Sequence, residues 1–123
     1  MFEKFNFSKE QVERFFMAAE RDLKIAREAK APEAVFLFAY NALIKTAIAV
    51  CARKGLRVRS QQGHHRELIE KLAAHLGDED IEVIGNEMRE KRNWDFYDGG
   101  VTLSEKETGE YLEWVNKVFK KSR

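Results

Sequence analysis

The stretch from Ala34 to Ala52 limits the folds open to this chain more than any other. Of its 19 residues 16 are apolar, and only Asn41, Lys45 and Thr46 break the run. No proline or glycine interrupts it, so it reads as one continuous helix closing at Arg53-Lys54-Gly55. A surface helix needs an apolar stripe on one side only. This one is apolar nearly all round, so other elements must cover it on several sides, with one face open to a partner. Its length invites a transmembrane reading. Lys45 argues against that reading, because a mid-span lysine costs about 3 kcal/mol to insert. The rest of the chain is amphipathic and charged. The expectation is the central helix of a soluble bundle, with no membrane.

A chain of 123 residues suits one domain, here 1–123, large enough for a core that needs no staples. Apolar residues make up 44% and charged residues 35%, a balance that excludes a disordered chain. The net charge of +1 gives no argument by itself for nucleic acid or a membrane as partner. The lone cysteine, Cys51, excludes an intrachain disulfide and reads as a small buried hydrophobe. With no export signal in MFEKFNFSKEQ, the expected compartment is the cytoplasm.

Helix signals follow one another along the chain. Ser8 and Gln11 form a capping box, opening a helix whose inner face is Val12, Phe15, Phe16, Ala19, Leu23 and Ala26. Pro32 suits the first turn of the central helix, after a break near residues 29–32 short enough to set antiparallel neighbours. Residues 56–63 read as irregular and locally basic. His64 and His65 open a third helix with Leu68, Ile69, Leu72, Ala73 and Leu76 inward, stopped by Gly77. An acidic turn, Asp78-Glu79-Asp80, starts a fourth, with Ile81, Val83, Ile84 and Met88 inward. It runs to about Asn93 or Phe96, and Asp98-Gly99-Gly100 ends it. A second capping box, Ser104 with Glu107, opens a last helix burying Tyr111, Leu112, Trp114, Val115, Val118 and Phe119. No segment alternates long enough for a strand. The fold class is all-α: an up-and-down four-helix bundle with an additional short helix.

Three constellations carry possible chemistry. Arg89, Arg92 and Asn93 lie on successive turns, and Tyr97 is one turn beyond Asn93. Guanidinium groups grip phosphate with a planar fork, and Trp94, Phe96 and Tyr97 offer stacking faces for a base. The plainer alternative pairs Arg92 with Asp95 or Glu90 and gives the aromatics to the core. His64 and His65 are the second. Adjacent histidines on a helix point apart, so no metal site is expected. Their plainer role is to cap the helix or touch a loop, yet either can serve as acid or base. Asn41 and Lys45 are the third, one turn apart on the central helix and in need of partners. An acid from the first or fourth helix would serve. The alternative is a groove that they share with Arg92.

Three features arrive in order: Ala39-Tyr40-Asn41-Ala42-Leu43 leading to Arg53-Lys54-Gly55-Leu56; Ser60-Gln61-Gln62-Gly63-His64-His65; and Arg92-Asn93 with a later tyrosine. This order resembles the HEPN family, the higher eukaryotes and prokaryotes nucleotide-binding domains, over roughly residues 8–120. The resemblance implies a helical bundle that forms homodimers, often encoded beside a small nucleotidyltransferase. Many members are metal-independent ribonucleases of toxin–antitoxin pairs, in which an arginine, often followed by asparagine, stands a few residues before a histidine at the dimer cleft. Arg92 and Asn93 match the first half of that motif. The second half departs, with Tyr97-Asp98-Gly99 where the histidine belongs.

The departure matters chemically. Cleavage through a ribose 2′-hydroxyl needs a base that takes a proton near neutrality. A tyrosine of pKa near 10 is only about one part in a thousand ionised at pH 7. The expectation is therefore a non-catalytic HEPN-like homodimer without cofactor. It would bind a nucleotide, RNA or a nucleotidyltransferase partner through Arg89, Arg92, Asn93, Tyr97, Asn41 and Lys45. The alternative is a ribonuclease toxin in which His64 or His65 joins Arg92 as catalytic group.

Overall fold

The computed structural model describes residues 2–59, 64–97 and 102–123, with side chains in the second stretch up to residue 94. The element order is β1 (Phe2–Lys4), α1 (Lys9–Glu28), α2 (Pro32–Arg53), β2 (Leu56–Val58), α3 (His65–Leu76), α4 (Glu79–Tyr97) and α5 (Glu105–Ser122). The chain is thus a mostly helical bundle of four longer helices and the shorter α3.

The helix boundaries follow local chemistry. At the start of α1, Ser8 Oγ accepts from the Gln11 amide at 3.1 Å, and Gln11 Oε1 accepts from the Ser8 amide at 2.8 Å. Pro32 occupies the first turn of α2, where its missing N–H costs nothing. Past the end of α2, Gly55 takes φ 76°, and Gly77 closes α3 at φ 62°. Both are left-handed positions, where a Cβ is penalised. At α5 only half of the expected box forms. Ser104 Oγ accepts from the Glu107 amide, but the Glu107 carboxylate reaches across to Lys91 Nζ at 2.6 Å.

α2 is the centre, packed against α1, α5, α3, β2 and α4. Ala39, Tyr40, Ala42, Leu43, Ala47, Ala49, Val50 and Cys51 are all completely buried. By length and composition α2 could cross a membrane, and 61% of its apolar window is buried inside the fold. Coverage by neighbouring helices therefore accounts for much of its apolarity. The small side chains let those neighbours approach closely. Around them α1 contributes Phe16, Ala19 and Leu23, α3 Leu68, Ile69 and Leu72, α4 Ile81 and Met88, and α5 Val115 and Phe119. Phe16 meets Phe119 edge-on at 6.3 Å, and Phe36 meets Tyr111 at 5.6 Å. Each large side chain removed from water in this way contributes about 1.5–3 kcal/mol.

Three expectations need correction. Residues 56–58 are not irregular: β2 pairs antiparallel with β1, Phe2 opposite Val58 and Lys4 opposite Leu56. The ribbon lies at the margin of the bundle, and Glu3 fastens it by binding both Arg57 and Arg59. Three-residue strands leave no alternation to read, so tertiary pairing decides them. Val83 is 66% exposed rather than inward. Leu112 and Trp114 are only partly buried, packed against the core from outside. The Ser60–Gly63 loop, the Asp98-Gly99-Gly100 stop and the side chains of Asp95, Phe96 and Tyr97 lie outside the described residues.

Candidate functional site

The polar centre of the molecule is built where α2, α3 and α4 meet. Tyr40 sits in the buried middle of α2 with no accessible surface. A phenol there needs a hydrogen-bond partner, and His65, the first residue of α3, supplies it: Tyr40 Oη and His65 Nδ1 are 2.8 Å apart. The two rings lie 5.6 Å apart, tilted by 51°. Burial pushes the Tyr40 phenol well above its ordinary pKa, against the opposing pull of Arg92 and Arg89. Burial likewise holds His65 below the ordinary imidazole value, and there Arg92 and Arg89 add to the effect. The same two guanidinium groups therefore act on both members of the pair, which brings α4 into the site.

The burial of the phenol argues for one direction of the hydrogen bond. The phenol keeps its proton across the physiological range. If it accepted from Nδ1–H, its own O–H would be stranded in the core, at a cost of about 1–3 kcal/mol. Tyr40 therefore donates, Nδ1 accepts, and the imidazole proton resides on Nε2. His65 is then a neutral ring with a free edge that donates rather than accepts. The charges of Arg92 and Arg89 act on this ring, and both guanidinium groups also have contacts of their own.

The expected residues divide as follows. Arg89 is half-buried and donates from Nε to Asn86 Oδ1 at 3.1 Å. That contact orients the guanidinium along α4. Arg92 is half-buried and makes contacts of its own. Asn93 is half-buried, and Trp94 next to it is 54% exposed. Tyr97 is the last residue of α4, its side chain outside the described set. Asn41 is half-buried on α2. Lys45 is committed to α1: its Nζ stands 2.8 Å from Asp22 Oδ2. Asp22 is 6% exposed, and Oδ2 lacks hydrogen-bond alignment, so this contact is an ion pair held by charge. The acid from the first helix thus answers Lys45's need. Neither imidazole of the His64-His65 pair caps α3.

His64, the N-cap of α3, and His65, its first residue, both border one cavity of about 500 Å³. Phe7, Phe15, Ile44, Ile48 and Leu68 line it, and so do Arg57 and Arg59. His64 Nε2 is buried without a hydrogen-bond partner. Among the described residues no group of three or more His, Cys, Asp or Glu is placed to hold a metal ion.

A second polar cluster joins α4 to α5. Lys91 binds Glu107 at 2.6 Å and lies 5.0 Å from the centre of the Tyr111 ring. The Tyr111 hydroxyl donates to Glu87. Burial opposes the Lys91 charge, but the bonds to Glu107 and Tyr111 outweigh it, and its pKa is raised. Every charge here has an opposite neighbour, so the cluster reads as a helix-to-helix fastening.

The residue missed from sequence is Tyr40. One signal was available: a hydroxyl in so apolar a run requires a partner. Nothing local could name His65, 25 positions away. Comparison with protein-family models, with curated proteins and with solved structures finds no match.

Proposed function

We propose that this chain is a HEPN-like helical protein that binds a nucleotide or RNA segment without cleaving it, through a cleft around Arg92, Asn93 and Tyr97. The observation that carries this reading is the Tyr40–His65 hydrogen bond, 2.8 Å long, where α3 begins against α2, with the charges of Arg92 and Arg89 on α4 acting on both rings. In this reading two guanidinium groups and an imidazole N–H donor receive a phosphate. The protein works in the cytoplasm as a homodimer. Val83 and Trp94, eleven residues apart and so on one side of α4, are the exposed apolar residues that support association. In this reading a small nucleotidyltransferase is a further partner.

Titration of Trp94 fluorescence with nucleotides tests it. A saturable change with the unaltered protein, abolished in Arg92→Ala, is expected. No response at millimolar nucleotide leaves only a structural helical dimer. Sedimentation tests the homodimer, and a species of only 14.4 kDa at micromolar concentration overturns it.

The ribonuclease reading has one observation in its favour: His65, not the expected late histidine, shares its surroundings with Arg92. Its proton placement counts against it. With Nδ1 occupied by Tyr40 and Nε2 protonated, His65 has no lone pair to take a proton from a 2′-hydroxyl. Growth arrest on expression in a bacterium, relieved by Arg92→Ala and by His65→Ala, would reinstate the nuclease.

A further inference from the structure

One side of α2 is not closed by the fold. Between Ala39 and Cys51 every residue is buried except Asn41, Lys45 and Ile48. These three share a stripe with the half-buried Ala34 and Phe38 and with the buried Ala52. Along the stripe the steps alternate between four and three residues, which is the spacing of the seam between paired helices. Leu37, one turn before Asn41, is 41% exposed, and Ile25, three residues beyond Asp22 on α1, is 38% exposed. Both widen the apolar surface beside the stripe.

The stripe has the same chemistry read in either direction: small, large apolar, polar, polar, large apolar, small. Two antiparallel copies of α2, crossing at Leu43, would set Ala34 opposite Ala52, Phe38 opposite Ile48 and Asn41 opposite Lys45. Each contact would be made twice, as a two-fold interface requires. Lys45 would not arrive as a bare cation, because Asp22 Oδ2 stands 2.8 Å from its Nζ. Its ammonium has three donors, so it can also serve an Asn41 amide oxygen. Polar residues at such seam positions fix the register. The Val83–Trp94 side of α4 is less suited to the axis. Glu87 and Glu90 fall between those two residues at the same spacing, and like charges would meet there.

We infer that the uncovered stripe of α2 takes α2 of a second copy of this chain, antiparallel, with Phe38 of the partner subunit against Ile48. The inference rests on the homodimer reading above and adds to it where the copies meet. Ile48 also lines the cavity of about 500 Å³, together with Ile44 and Phe15. The partner's Phe38 therefore lies beside that cavity and helps to close it.

Sedimentation of the unaltered protein, followed by isotope-filtered nuclear magnetic resonance, tests this. Copies with carbon-13 isoleucine methyls are mixed with unlabelled copies. Cross-peaks from the Phe38 ring to the Ile48 methyls are expected. Within one copy the two residues are ten positions apart, about 15 Å along the helix, too far for such a signal. Phe38→Ala should raise the dimer dissociation constant about a hundredfold, about tenfold for each of the two rings lost. Val83→Ala should change it by less than about threefold. A dimer without the Phe38–Ile48 cross-peaks, or one weakened by Val83→Ala and not by Phe38→Ala, overturns this interface and leaves the homodimer standing. A species of only 14.4 kDa at micromolar concentration overturns both. The cross-peaks need no substitution, so misfolding of Phe38→Ala leaves the test intact.

Discussion

Tyr40 Oη and His65 Nδ1, 2.8 Å apart, tie the middle of the central helix to the first residue of α3. The bond anchors the start of α3 and sets which imidazole nitrogen carries the proton.

Replacing Tyr40 with Phe removes the donor and leaves Nδ1 unpartnered in a half-buried site. The expected cost is about 1–2 kcal/mol, read as a lower urea midpoint with an unchanged slope. The imidazole of His65, no longer held neutral by the phenol, should titrate at higher pH than in the unaltered protein, as measured by nuclear magnetic resonance. An unchanged titration would show that Tyr40 does not set the proton's position.

Acid should weaken the fold through its histidines. His65 is held below the ordinary value by burial, then by Arg92 and Arg89. His75 is held low by burial, then by Lys54, Lys71 and Arg53. Unfolded, both titrate near pH 6.5. The native state therefore binds fewer protons below that point. Their contribution is complete above about pH 6.5 and is lost as pH falls through the lower native values. Urea midpoints should drop between about pH 7.5 and pH 5, and less so in His65→Gln. Glu3 and Glu107, whose carboxyls are lowered by bonds to Arg57 and Arg59 and to Lys91, enter only in stronger acid.

At Gly85, α4 packs tightly against Ile69 of α3. A Cβ there would stand 2.7 Å from Ile69 Cγ2 and 3.5 Å from Leu43 Cδ2. Ile69 is fully buried and β-branched, so it cannot swing aside. Overpacking costs about 1–3 kcal/mol, and the better helix propensity of alanine returns at most about 1 kcal/mol. Gly85→Ala should lower the melting temperature. Combined with Ile69→Ala, it should cost less than the two single changes added together.

Cys51 is fully buried, and burial pushes its thiol up to about 11, only slightly offset by Lys71. Thiolate is the reactive form. The native protein should resist iodoacetamide at about pH 8 and react promptly in denaturant. Rapid modification without denaturant would mean that α2 is less well covered than its burial indicates.

What the chain discloses in advance depends on how far apart the interacting residues lie. The inner face of α1 is legible because Phe16, Ala19, Leu23 and Ala26 recur with the helical period. The Ser8–Gln11 cap is legible because its partners are three residues apart. Asp22 is not, since it sits among charged neighbours and only its approach to Lys45 explains its burial. The candidate site is legible in part: Arg89 and Arg92 stand out by spacing, whereas their meeting with Tyr40 and His65 is set by the packing of three helices. The β ribbon is invisible locally because Glu3, Arg57 and Arg59 acquire their roles only once the ends of the ribbon meet.

The position of α2 also governs how the molecule comes apart. α1, α3, α4, α5 and β2 all pack against it, so detaching any of them strips cover from the same rod. Among the described residues, losing Pro32–Arg53 uncovers the inner faces of α1, α3, α4 and α5 together. Melting should therefore be a single cooperative event, identical by fluorescence and circular dichroism, and a cut within that rod should abolish the folded state rather than release a smaller stable piece.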